Sequence, residues 1–254
     1  EPQPHEFFSG DKAPARLMRL REKVQALLAA GVTRVLCVQF NEALRKLTAE
    51  AFIETVLLDG LDIKHLVVGD DFRFGCDRAG DFGFLQQAGL ANGFTVEEAA
   101  TVQLDGLRVS STGVRNALGV ADFTLAEALL GRPFQIAGRV LHGQKLGRQL
   151  NAPTANVQLK RKRVPLKGVY LVSTEIDGQT WPGVANIGVR PSVAGDGRAH
   201  LEVHLLDFAG DLYGRRLTVA FHHKLRDEQR FASLEALKTA IAADIAAARA
   251  HWRV

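Results

Sequence analysis

The feature that most restricts the fold is a change of punctuation along the chain. From Phe134 to His223 the apolar residues come in short segments broken by Gly, Pro and Asp-Gly, with Asp177-Gly178 standing as a hairpin signal. Many short strands separated by turn signals predict a closed or nearly closed antiparallel barrel. One long helical stripe follows. Leu234, Leu237, Ile241, Ile245, Ala248 and Trp252 recur at spacings of three and four behind Ser233, an N-cap residue. This helix is expected to pack on the barrel.

Upstream the period is different. Leu17, Leu20, Val24, Leu27 and Leu28 form a helical stripe ended by Gly31, and Val32 to Phe40 then reads as a buried strand. Thr48 is placed to cap a helix with Phe52, Ile53, Val56 and Leu57 on one face, and Ile63 to Val68 is a second apolar strand. Alternating helix and strand predict a parallel sheet with covering helices. Asp105-Gly106 marks a hairpin, Asp122 caps a short helix over residues 123–130, and Gly131-Arg132-Pro133 stops it. The domain boundary is placed there, giving residues 1–131 and 132–254.

Hydrophobic residues make up 46% of the 254 and charged residues 24%, enough for a full core. No apolar run approaches the roughly 20 residues that span a bilayer. Cys37 and Cys76 lie too far apart for a CxxC site and are too few for a disulfide framework. Two reduced thiols point to the cytoplasm. The opening Glu1-Pro2-Gln3-Pro4 has neither a basic n-region nor an apolar h-region, and reads as the interior of a longer chain. The net charge of +4 says little, but between Gly138 and Gly168 there are eight Lys or Arg residues and no Asp or Glu. Such a field attracts anions, whether nucleic acid or the phosphates of a nucleotide.

Four constellations could carry chemistry. The glycine-punctuated basic stretch Gly143 to Asn156, GQKLGRQLNAPTAN, can offer backbone N–H groups to phosphate oxygens, although it lacks the Lys-Ser/Thr of a Walker A loop. Its Thr154 and Asn156 put a hydroxyl and an amide oxygen two residues apart, hard donors that suit magnesium. Without such a ligand they read as a turn and a β-edge residue. In His200-Leu201-Glu202-Val203-His204-Leu205 the apolar residues face a core and His200, Glu202 and His204 face the other side. That polar face could be solvated, could hold zinc if a third ligand existed, or could present Glu202 as a base, since a carboxylate ionised at neutral pH accepts a hydroxyl proton. Asp70 and Asp71 follow directly after a predicted parallel strand, where open α/β sheets bind ligands. Finally, Arg108-Val109-Ser110-Ser111-Thr112-Gly113-Val114-Arg115 combines helix-start hydroxyls with arginines that would suit a triphosphate, or simply caps a helix.

Taken in order, the motifs are specific. PTAN (153–156), ANIGVRPS (185–192), LEVHLLDF (201–208) and KLRDEQRF (224–231) resemble the riboflavin kinase domain. VVGDDFRFG followed by RVSSTGVR resembles the nucleotidyltransferase domain of the prokaryotic bifunctional riboflavin kinase/FAD synthetases. The resemblance covers nearly the whole chain. It implies a Rossmann-like α/β nucleotidyltransferase domain, incomplete at its N-terminus, followed by a six-stranded antiparallel barrel with a C-terminal helix. It implies phosphorylation of riboflavin to FMN by ATP, with Mg2+ held by Thr154 and Asn156, which also meet ATP phosphates. Glu202 would take the proton of the ribityl 5′-hydroxyl, Gly143, Lys145 and Gly147 would cover the nucleotide, and Arg226 would lie in a flap near the flavin. In the first domain Asp70, Asp71, Arg108, Ser111, Thr112 and Arg115 match the ATP and FMN site for adenylylation to FAD. The family's Gly-x-Phe-Asp-Gly-x-His-x-Gly-His stretch has no match and is expected before Glu1; a chain starting at Glu1 is expected to make FMN but not FAD, whereas an intact chain that carries the stretch is expected to make both. Asn151-Ala152 stands where the family has Gly-Phe. The implied partners are riboflavin, FMN and ATP, with no nucleic acid and no membrane. The alternative is a nucleic-acid-binding barrel using the 138–168 stretch, but such barrels interleave aromatic and basic residues, and none precedes Tyr170 there.

Overall fold

A computed structural model of the chain describes residues 1–143, 152–161, 163–189 and 199–254. They form two compact units, one of Glu1–Ala13 with Arg34–Val109, the other of Pro14–Thr33 with Ser110–Val254.

The first unit is built on a parallel pair, β1 (His65–Gly69) beside β2 (Thr95–Ala99), in register from His65 opposite Thr95 to Gly69 opposite Ala99. Helix Phe82–Asn92 connects them. It starts where the Asp81 carboxylate accepts from the Phe84 N–H at 2.9 Å and stops at Gly93 in the left-handed region. Thr48 caps helix Ala49–Phe52 as expected, accepting from the Ala51 N–H at 3.2 Å, and the helix runs on as a π-helical turn over Ile53–Leu58. Ala49, Ile53, Leu57, Val68, Phe74, Leu85 and Phe94 close the core. The short strands β3 (Gln103–Leu104) and β4 (Leu107–Arg108) form the expected hairpin, with Asp105 and Gly106 both at positive φ, as a type I′ turn requires. The expected strand over Val32 to Phe40 does not form. The segment enters no ladder and leaves Leu36 61% exposed. A strand exists only through a partner's hydrogen bonds, and among the described residues none pairs with it.

The second unit holds the barrel. Strands β5 (Phe134–Leu141), β6 (Ala155–Gln158), β7 (Gly168–Ile176), β8 (Gln179–Val189), β9 (Ala199–Leu205) and β10 (Arg216–Arg226) close in the order β10-β5-β6-β9-β8-β7. Every neighbouring pair is antiparallel. Asp177-Gly178 makes the β7–β8 hairpin with both residues at positive φ. Alternation sorts the side chains. Val157, Ala185, Ile187, Leu201 and Val203 are buried in the barrel, while Val169, Leu171 and Val184 face outward and pack with Leu206 against Ala248, Ile245 and Trp252 of the C-terminal helix Leu234–Trp252. Ser233 caps that helix, accepting from the Ala236 N–H at 3.2 Å, and Leu234 at its start is exposed.

Helix Leu20–Ala29 belongs to this unit and is fastened to the barrel by a buried charge cluster. The Arg161 side chain is 2% exposed, and its guanidinium donates to the Glu22 carboxylate at 2.5 Å and to the Arg16 and Leu17 carbonyls. Glu22 also accepts from the Ala137 N–H of β5 at 3.2 Å, and Arg19 donates to the Ala137 carbonyl at 2.7 Å. Two side chains thus occupy both backbone groups of Ala137 where no strand does. Arg161, one of the eight basic residues between Gly138 and Gly168, is therefore not presented to solvent.

Candidate active site

At one mouth of the barrel lies a cavity of about 360 Å³. Pro153, Thr154, Ala155 and Asn156 line one side, and Phe208 with Gly210 to Tyr213 the other; Val140, Gly143, Val203 and Leu205 complete it. Thr154 sits one residue before β6 and Asn156 is the second residue of that strand. The segment is pinned from β9, where His204 Nδ1 donates to the Pro153 carbonyl at 2.9 Å. Gly143 lies against the Asn156 side chain so closely that a Cβ at 143 would overlap the amide. The ring of Tyr213 stacks on His142 at 3.9 Å between centroids.

Glu202 does not line the cavity. It stands beside its rim on β9, directly opposite Asn156 on β6. Opposed residues of an antiparallel pair project to the same face, with Cβ atoms about 4.5–5.5 Å apart. The buried alternates Leu201 and Val203 fix which face this is, the one outside the barrel interior. Thus the structure brings Thr154, Asn156 and Gly143 to the cavity and sets Glu202 next to them. Lys145 and Gly147 lie outside the described residues.

Arg226 ends β10 with its donors engaged. Its Nε and Nη2 reach the Asp244 carboxylate of the C-terminal helix at 3.0 and 2.7 Å, its Nη1 donates to the Asp227 carbonyl, and its Cζ lies 5.5 Å from the centre of the Phe231 ring.

In the first unit Asp70, Asp71 and Arg108 do meet. Arg108 donates to Asp70 at 2.7 Å and approaches Asp71 at 3.8 Å. Thr101, which sequence reasoning missed, donates to the other Asp70 oxygen at 2.8 Å. These bonds, the Thr101 hydroxyl first and Arg108 after it, hold the Asp70 carboxyl below the usual carboxylate range. Ser111, Thr112 and Arg115 fall in the second unit at the start of helix Ser111–Gly119. The cap is Ser110, whose Oγ accepts from the Gly113 N–H, and Arg115 Nε donates to the Ala15 carbonyl at 2.7 Å.

The donor set at Thr154 and Asn156 fits a magnesium ion that keeps waters and shares phosphate oxygens, since both offer neutral hard oxygens on a cavity wall. It does not make a self-sufficient cage. Among the described residues no group of three His, Cys, Asp or Glu could hold a metal, which leaves the zinc reading of His200, Glu202 and His204 without support. The aromatic wall from Phe208 to Tyr213 was also missed; its sequence signal is the pair of turn glycines, Gly210 and Gly214, around a tyrosine.

Comparison with known proteins identifies the lineage. A riboflavin kinase family model matches residues 130–252, and an FAD synthetase model matches residues 1–113. A bifunctional riboflavin kinase/FMN adenylyltransferase from Pseudomonas fluorescens is 74% identical over 250 residues, covering 98% of this chain and 80% of the relative. The chain belongs to the bifunctional riboflavin kinase/FMN adenylyltransferase family. The Escherichia coli K12 member is 54% identical over the same shares, and that of Haemophilus influenzae 46% identical over 99% of this chain. A crystal structure described as a macrolide-efflux protein from Streptococcus pneumoniae superposes with a TM-score of 0.77 at 29% identity, over 98% of this chain and 78% of its own. Among the described residues of this chain no helix is long and apolar enough to cross a membrane. The family carries the expected architecture, a nucleotidyltransferase-like region followed by the six-stranded barrel and its C-terminal helix.

Proposed function

We propose that residues 132–254 form the kinase domain, phosphorylating riboflavin to FMN with ATP, and that residues 1–131 form the domain that adenylylates FMN to FAD. The observation that carries the kinase reading is the pairing of Asn156 with Glu202 across β6 and β9. It sets a neutral oxygen ligand on the cavity wall beside a carboxylate. In the proposed reaction the triphosphate of ATP lies along the cavity on the Gly143 side, and Lys145 and Gly147 are assigned to its binding. The Thr154 and Asn156 oxygens would hold magnesium, which would neutralise phosphate charge there. The ribityl 5′-oxygen attacks the γ-phosphorus in line, its proton passes to Glu202, and ADP leaves. Positioning and charge stabilisation supply most of the catalysis in such transfers. Arg226 belongs to the flavin side, and with its donors taken by Asp244 and Asp227 it acts there by holding the loop toward Phe231 and by the face of its guanidinium. On the adenylylating side we assign Asp70, Asp71 and Arg108 with Ser111, Thr112 and Arg115 to ATP and FMN. Free Cys37 and Cys76 support a cytoplasmic setting.

The test is direct. The chain is incubated with riboflavin, ATP and magnesium, and FMN and FAD are separated. Glu202→Gln should keep riboflavin binding and lose at least about 100-fold in kcat, the range for a general base. Wild-type turnover in that variant would remove Glu202 from the role of base.

A further inference from the structure

The polar row on β6 and β9 has a third member. Asn186 of β8 lies directly opposite Glu202, so Asn156, Glu202 and Asn186 stand side by side on three neighbouring strands spaced about 4.8 Å apart. All three project to one face. Val184, two residues before Asn186, points the same way and packs against the C-terminal helix, while the alternates Ala185 and Ile187 are fully buried inside the barrel. The row therefore runs from the cavity rim at Asn156, past Glu202, to a third side chain on the barrel exterior.

Asn186 is half-buried, and its Oδ1 is shut off from solvent with no hydrogen-bond donor among the described residues. Buried polar atoms are otherwise almost always partnered; several side-chain atoms among the described residues are exceptions, and Asn186 Oδ1 is the one in line with Asn156 and Glu202, where a ligand could answer it. Turning the amide over would bury the nitrogen instead, with the same need. A hydroxyl group answers either orientation, because it both donates and accepts. The next residue on the same face, Gly188, adds no side chain, and the Glu228 carboxylate lies directly against it, where a Cβ would overlap it. Glu202, Asn186 and Glu228 thus line this strip with acceptor oxygens, and a ligand rich in hydroxyl donors complements it.

We infer that Asn186 is a specificity-determining residue that binds a secondary hydroxyl of the polyol chain of the phosphoryl acceptor. The inference rests on the kinase reading above. If phosphate chemistry occupies the Asn156 end and the attacking hydroxyl meets Glu202, the remaining hydroxyls of the same chain extend toward Asn186.

The experiment compares two acceptors, riboflavin and a flavin carrying an unbranched 5-hydroxypentyl chain, which keeps the terminal hydroxyl and lacks the secondary ones. Asn186→Leu, close in volume, removes the amide. The ratio of kcat/KM for riboflavin to that for the analogue should fall about tenfold in the variant, through KM for riboflavin, while KM for ATP stays within twofold. The unfolding midpoint should not drop, because an unpartnered polar atom has been replaced by an apolar group. Turnover of the analogue by the variant serves as the check on folding. An unchanged ratio, or an equal rise in KM for ATP, would overturn the role of Asn186 alone. Absence of riboflavin turnover in the unaltered chain would overturn the kinase reading and this inference together.

Discussion

Glu22→Ala should be strongly destabilising although Glu22 lies outside the barrel strands. The Glu22 side chain is 11% exposed and its partner Arg161 only 2%. Burial pulls the Arg161 guanidinium below the usual arginine range, and the facing Glu22 carboxylate pulls it back up. Truncation leaves that charge with two carbonyls, those of Arg16 and Leu17, and no counter-ion among the described residues. It also strands the Ala137 N–H of β5. Removing one partner of a buried pair costs about 3–5 kcal/mol. The lower end applies here, because the carbonyls remain and water can reach the space vacated by the carboxylate. Both tryptophans, Trp181 and Trp252, lie in the second unit, so tryptophan fluorescence follows that unit through a urea transition. With a slope of about 1–3 kcal/mol per molar urea, 3 kcal/mol lowers the midpoint by roughly 1–3 M. The double variant Glu22→Leu, Arg161→Met should recover more than half of the loss, since it leaves no buried charge unpaired. A loss below about 1 kcal/mol in the single variant would refute the reasoning, because Arg161 would then have another route to solvation.

Two further outcomes follow from local geometry. Gly143→Ala drives a methyl into the Asn156 amide, so kcat/KM for ATP should fall at least tenfold with riboflavin saturating; an unchanged value would show that the Gly143 backbone can yield. His222 is pushed below the ordinary histidine range, first by burial and then by the nearby His251, against an upward pull from Glu127, while its Nε2 contacts Ser173 Oγ at 2.8 Å. The folded state thus keeps it neutral while the unfolded chain protonates it at the ordinary value. Its contribution is complete above about pH 6.5 and is lost as pH falls through the depressed value. Thermal unfolding should therefore drop between pH 7.5 and 5.5, and by less in His222→Gln; equal drops would remove His222 from the account.

What the sequence makes legible is local. Thr48, Asp122 and Ser233 each accept the backbone N–H expected of a cap, and both Asp-Gly pairs make their hairpins. These signals act over three or four residues and need no knowledge of the rest of the chain. The alternation in residues 200–205 was equally readable, because burial of Leu201, Val203 and Leu205 follows from period two alone. Val32 to Phe40 shows the limit. Its apolar content suits a strand, but pairing is a property of two segments, and composition reports on one. The same reason hides Thr101, which acts on Asp70 from 31 residues away, and Glu22, which meets Arg161 across 139.

The candidate site is a case of the same principle with a different outcome. Asn156, Glu202 and Asn186 come from three separate motifs, and only strand register makes them neighbours. A slip of one residue on β9 would turn Glu202 into the barrel and bring Leu201 or Val203 out to meet Asn156. That slip is opposed by apolar burial: Leu201, Val203 and Leu205 of β9 would all exchange the core for the outer face. Each such side chain is worth about 1.5–3 kcal/mol when fully buried. The geometry of the polar row is therefore set by residues that touch no substrate. Alternation within each motif could be read from sequence, whereas the order β6-β9-β8 could not, and it is this order that puts the carboxylate between the two amides.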